Sequence, residues 1–264
     1  MILYLSLHLS LYCYRMTEEK TTQTEFQSDV SKLLCDPSSP HPTTSRVNES
    51  KQYISWEGCT IIMPLSKNPN NVDLAEKIYK RLKTDPVIDE FVALLPPESY
   101  HITLRGIRER CKYQDGKEYN EYIVSKYKKM CEMDKIFAES EIDSIQFDFD
   151  IKSIDSAPYC GLSLYFENAG PNEKMLRNFE DIAADHLDLS IKEQGWHISL
   201  GYFYKNDGKL SKKEKKLIKS SVKSALIDAM KDNMNPDNGM CTFSCSRPTV
   251  CYFKDLTQFE KLNI

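Results

Sequence analysis

The sequence has no surplus of positive charge. Its 35 Lys and Arg against 39 Asp and Glu give a formal net charge of −4 and a pI near 5.8. A protein that coats long duplex nucleic acid needs a basic surface to displace counterions, so that class is excluded. A single nucleotide or a short RNA end needs only a local cationic patch and stays within reach. The nine cysteines contain no CxxC pair, and Cys241, Cys245 and Cys251 fit no common zinc spacing. No metal or other cofactor is expected, and the cysteines read as reduced thiols of a cytosolic or nuclear protein. No apolar run is long enough to span a bilayer, so no membrane partner is expected. Residues 1–15 are apolar but lack the basic start and the cleavage site of a signal peptide. They read as an upstream extension or tail, with Met16 opening a more ordinary beginning.

What is present is a globular composition, with 41 % hydrophobic and 28 % charged residues. Residues 16–50 are rich in Thr, Ser, Glu, Pro and Asn and bury too little apolar surface to order themselves. The expected organisation is a flexible tail over 1–50 and one folded domain over 51–264, acting as a monomer.

Within that domain short apolar runs alternate with helical patterns. CTIIMPL (59–65) reads as a buried strand. NPNN (68–71) reads as a turn, followed by a helix over 72–84 with Leu74, Ile78 and Leu82 in one stripe. Pro86 starts a second short helix predicted to run to Leu95, and Pro96-Pro97 ends it. SYHITLRGI (99–107) reads as a strand, 117–138 as a charged helix, and 144–154 and 159–168 as two more strands. A helix over 171–188, a strand over 195–204, a helix over 211–232 with Ser211 as N-cap, and one or two strands over 240–253 complete the order. The lysines of the 211–232 helix lie opposite its apolar stripe and read as a solvated face. A strand, a helix and an HIxL strand recur, which suggests two similar lobes lending central strands to a shared cleft.

Two tetrapeptides carry the chemistry: His101-Ile-Thr-Leu and His197-Ile-Ser-Leu, each after an aromatic residue, Tyr100 and Trp196. In a strand, residues i and i+2 share a face. His101 and Thr103 therefore stand together, as do His197 and Ser199, with the aromatic and aliphatic positions packed behind. An imidazole titrates near neutrality and serves as general acid or base. Two of them around one phosphorus would supply both roles, and the hydroxyls would hydrogen-bond the non-bridging oxygens. The chain has only five histidines, so two in one frame is a specific signal; His8, His41 and His186 lie in no such frame. Continued alternation would bring Arg105 onto the same face as a phosphate ligand, and Gly201 into the equivalent place on the other strand, leaving room for a ligand. Phe203, Tyr252 and Phe253 are candidate platforms for stacking a base.

The motifs resemble those of the 2H phosphoesterase superfamily, which includes LigT-like 2′–5′ RNA ligases and cyclic nucleotide phosphodiesterases. HITLRGI in particular is similar to the first family motif, and the resemblance extends over about residues 56–255. It implies an α+β, bilobal fold in which antiparallel sheet lobes with outer helices frame a cleft. It also implies His101 and His197 as acid and base, in an order left open, with Thr103 and Ser199 on the phosphate. The expected activity is metal-independent hydrolysis of a nucleotide or RNA-end phosphodiester: a 2′,3′-cyclic phosphate, a 2′–5′ linkage, a cyclic dinucleotide or an RNA 3′ end. An RNA ligase, or a nucleotide-binding module with little turnover, are the alternatives.

Overall fold

A computed structural model describes residues 29–38, 46–139, 147–157, 161–166, 170–190, 195–204, 210–233 and 241–262. The readings of residues 1–15, Met16, His8 and His41 lie outside them. The chain divides into two units, 1–32 and 33–264; of the first, only residues 29–32 are described, as helix.

The second unit is built on antiparallel strands: β1 (Gly58–Pro64), β2 (Val92–Leu94), β3 (His101–Glu109), β4 (Phe147–Ala157), β5 (Gly161–Phe166), β6 (His197–Phe203), β7 (Thr242–Cys245), β8 (Thr249–Phe253) and β9 (Glu260–Lys261). The helices are α1 (Pro69–Lys83), α2 (Pro86–Phe91), α3 (Gly116–Glu139), α4 (Glu173–His186) and α5 (Lys212–Met230). The strand order is β7-β4-β5-β6-β3-β1-β8-β9, with β2 added on β6. This is the α+β architecture the sequence implied. Its two lobes are legible in the ladder: β1 and β3 share seven pairs and β5 and β6 share five, whereas β3 and β6 meet at one, Ile102 opposite Ile198.

The helices form where their patterns predict. In α1, Leu74, Ile78 and Leu82 are buried, at the four-residue spacing of one helical face. The helix begins earlier than read: Asn68 caps it by accepting from the Asn70 N–H, and Pro69 takes the first turn, where its missing N–H costs nothing. In α5, Ser211 and Glu214 form a reciprocal capping box, and Ile218, Val222, Leu226 and Ala229 are buried.

Three local readings are corrected. Residues 92–94 are a strand pairing with β6, and α2 ends at Phe91. The chain after Ile107 continues as strand to Glu109, and Arg110 is buried, donating from Nη1 to the Tyr113 carbonyl at 2.6 Å. The tail boundary at residue 50 also falls too late. The Cys35 N–H donates to Asn120 Oδ1 at 3.0 Å, Asn120 donates back to the Cys35 carbonyl at 2.8 Å, and Val47 bridges to Tyr53. A few side chains and paired backbone groups anchor these pieces, which composition averaged over 35 residues conceals.

Gly201 is where β2 approaches β6. A Cβ there would lie 2.5 Å from the Ala93 carbonyl and 2.7 Å from Val92 Cγ1. Most of that clash is backbone, so β2 itself would have to move. Gly201→Ala is expected to destabilise the fold by about 1–3 kcal/mol, the usual cost of overpacking, measured by urea unfolding. An unchanged midpoint would show that β2 yields freely.

Candidate active site

The two motif strands face each other across the seam. Ile102 and Ile198 are fully buried on one side. One residue further in each direction, the antiparallel register sets His101 opposite Ser199 and Thr103 opposite His197. The four groups thus form a square patch on the other face. The histidines occupy one diagonal, which in a regular antiparallel pair measures roughly 7–8 Å. All four side chains are half-buried.

Each imidazole is anchored in the same way. His101 Nδ1 lies 2.8 Å from the Ser99 carbonyl, and His197 Nδ1 lies 3.3 Å from the Gly195 carbonyl. A carbonyl only accepts, so Nδ1 carries the proton in both rings and Nε2 remains for a substrate. The Pro-Pro-Glu-Ser sequence prepares the first anchor. Pro97–Ser99 form a 3₁₀ turn in which the Ser99 hydroxyl donates to the Pro96 carbonyl at 2.7 Å. This turn fixes the Ser99 backbone just before the strand begins.

Aromatic rings flank both histidines. Phe259, from the segment after β8, packs on His101 at 4.2 Å between ring centroids. Tyr165 of β5, the cross-strand neighbour of His197, lies 5.4 Å from it. Burial depresses the His101 pKa to about 4, helped by the charge of His197 and opposed by the bond to Ser99. Burial also lowers the pKa of His197; the Gly195 bond opposes this, and the positive charge of Arg46 adds to it.

Both strands carry a bulge directly after the hydroxyl residue. Thr103 pairs with Ile62 and Arg105 with Ile61, leaving Leu104 as the extra residue in β3. Ser199 pairs with Ser163 and Gly201 with Leu162, leaving Leu200 extra in β6. The extra residue resets the alternation. Arg105 is therefore turned to the opposite face, where it is 6 % exposed and its charge partly offsets the burial that raises the pKa of Glu180. This corrects its reading as a phosphate ligand. Gly201 is likewise turned away and gives its space to β2. The resets bring Gly106 and Tyr202 onto the histidine face instead. Gly106 is exposed, with open space where a side chain would be, while the Tyr202 hydroxyl donates toward Ser199 Oγ at 3.5 Å.

The stacking candidates change as well. Phe203 pairs with Val92 on the face away from the histidines and is 4 % exposed. Tyr252 pairs with Cys59, also on the far face, and its hydroxyl donates to Glu260. Phe253 is on the histidine side but buried; it packs on Phe259, which in turn reaches His101. The half-buried rings beside the histidines are Tyr165 and Phe259. Tyr165 could have been found from its parity in YCGLSLYF. Phe259 and Arg46 carry no local signal, since each reaches the site from a distant part of the chain. Among the described residues, no group of three or more His, Cys, Asp or Glu is arranged to hold a metal ion.

The site is thus a pair of His-x-hydroxyl motifs at the seam of a two-lobed antiparallel sheet. Residues 46–137 match the 2H-phosphodiesterase family model, described as a domain of unknown function (DUF1868). The matched segment carries His101 and Thr103. Among solved structures, the chain is similar to a conserved protein of unknown function from Agrobacterium tumefaciens, with a TM-score of 0.59, 13 % identity, and coverage of 89 % of this chain and 98 % of that one. E. coli LigT complexed with phosphate matches with a TM-score of 0.42, 12 % identity, and coverage of 80 % of this chain and 96 % of that one. Kluyveromyces marxianus Usb1 matches with a TM-score of 0.42, 10 % identity, and coverage of 84 % of this chain and 100 % of that one. No curated protein matches the chain.

Proposed function

We propose that the protein is a phosphodiesterase that opens a nucleotide or RNA-end phosphodiester by two-histidine acid–base catalysis without a metal. The observation that carries this reading is the square patch at the seam. Two imidazoles stand on one diagonal, each with Nδ1 tied to a backbone carbonyl and Nε2 left for a substrate, and a hydroxyl stands beside each.

In this mechanism His101 is the base, because Phe259 covers it and its pKa is the more strongly depressed. Its Nε2 takes the proton from a water or ribose hydroxyl as that oxygen bonds to phosphorus. His197 is the acid: its Nε2–H protonates the leaving oxygen as the old P–O bond breaks. The phosphate's negative charge favours the protonated form of His197 once substrate is bound. The Thr103 and Ser199 hydroxyls donate to the non-bridging oxygens, where charge builds. Tyr165 and Phe259 offer rings to the groups on either side of the phosphate, which supports a nucleotide substrate.

The test is hydrolysis, in excess EDTA, of 2′,3′-cyclic nucleotides, 2′–5′ and 3′–5′ oligoadenylates, cyclic dinucleotides and short RNAs with modified 3′ ends. Turnover of one class at undiminished rate is the expected result. Turnover that EDTA abolishes and a divalent ion restores would overturn the metal-free mechanism. Tight nucleotide binding with no turnover would leave a binding module.

A further inference from the structure

We propose that Arg46 is a third phosphate-binding residue of this site, holding a non-bridging oxygen of the reacting phosphate from the Ser199 and His197 side. The inference rests on the phosphodiesterase reading above and adds a residue outside both motifs.

The patch itself is short of positive charge. It consists of two imidazoles and two hydroxyls, whereas a phosphodiester carries one negative charge and gains a second as the nucleophile attacks. The nearest motif cation, Arg105, is turned away by the bulge at Leu104. Arg46 comes to the same face from the other direction. The Val47–Tyr53 bridge turns its segment back on itself. Its guanidinium carbon then lies 4.8 Å from the Tyr202 ring centroid and 5.0 Å from that of Trp56. Both separations are within cation–π range.

Tyr202 is the link to the site. It is the residue that the β6 bulge returns to the histidine face, and its hydroxyl points at Ser199 Oγ, 3.5 Å away. The guanidinium is therefore one ring away from a hydroxyl of the square patch, and its charge bears on His197.

The chemistry of Arg46 suits this task. A guanidinium is a planar fork that stays charged at all working pH, which matches the geometry of a phosphate oxyanion. The charge of Arg46 also bears on Glu109, whose carboxylate already accepts from Trp56 Nε1 and Lys112 Nζ, each at 3.2 Å. A lysine could supply the charge but not the fork.

The experiment compares wild type, Arg46→Lys and Arg46→Ala. Inorganic phosphate affinity is measured by calorimetry, together with kcat/KM on the substrate found by the panel and the melting temperature. Arg46→Lys is expected to weaken phosphate binding about tenfold and lower kcat/KM by roughly ten- to a hundredfold, with little change in melting temperature. Free guanidine at millimolar concentration is expected to restore part of the activity of Arg46→Ala, which a purely structural arginine would not permit. If Arg46→Ala fails to fold, Arg46→Lys alone decides. Unchanged phosphate affinity and kcat/KM in folded Arg46→Lys would overturn the proposal and leave the two-histidine mechanism standing. Weakened phosphate binding in Arg46→Lys, with no ester turned over by wild type, would uphold Arg46 as a phosphate ligand and sink the catalytic reading instead.

Discussion

His101→Ala and His197→Ala will each lower kcat/KM on the best substrate by roughly 10²–10⁴, the range expected when a general acid or base is lost. The effect follows from the seam, where each imidazole offers a single nitrogen, Nε2, to the reaction. No second base lies behind either ring, because its Nδ1 faces a carbonyl. The double variant should be about as slow as the slower single one, since acid and base act in one step and their losses do not add. Thr103→Ala and Ser199→Ala should cost less, roughly ten- to a hundredfold, as each removes one hydrogen bond to a charged oxygen. Steady-state kinetics on all five variants would test this. Full activity in either histidine variant would remove that residue from the mechanism.

Stability is expected to fall by about 3 kcal/mol as pH drops from 6.5 to about 4, through His101 alone. The folded-state pKa is near 4 against an ordinary value of 6.5. In that window the unfolded chain binds a proton that the folded chain refuses. The contribution is therefore fully present above pH 6.5, is lost progressively as pH falls, and is gone below the folded value. The cause is physical cover: the Phe259 ring lies 4.2 Å from the imidazole and keeps water from the charged form. Urea unfolding across this range should give a flatter curve for His101→Gln, which does not titrate. Phe259→Ala should lie between the two. An identical slope in wild type and His101→Gln would show that the imidazole is solvated in the folded protein.

The sequence was a good guide wherever the signal spans a few residues. Leu74, Ile78 and Leu82 marked α1, Ser211 capped α5, and two-residue alternation placed Thr103 beside His101 and Ser199 beside His197. The same alternation failed one step later, at Arg105 and Gly201. A bulge is a property of a strand pair, and neither β3 nor β6 announces the extra residue that β1 and β5 accommodate. Residues 92–94 were misread because three residues hold too little pattern, and their pairing depends on the absent side chain of Gly201. Arg46 and Phe259 were illegible for a different reason. Each reaches the site from a segment with no periodicity of its own, and only the folded chain brings it there.

The position of β8 has a consequence for how the molecule assembles. β8 pairs with β1 across nearly the whole chain, Gly58 opposite Phe253, whereas β4, β5 and β6 are neighbours both in sequence and in the sheet. The ordering entropy of a long loop must be met before such a distant pairing repays it. During synthesis, the lobe carrying His197 can close most of its ladder while the lobe carrying His101 still lacks an edge. The first motif to leave the ribosome is thus the last to receive its finished surroundings. The pocket around its imidazole is completed by Phe259, which follows His101 by 158 positions in the chain.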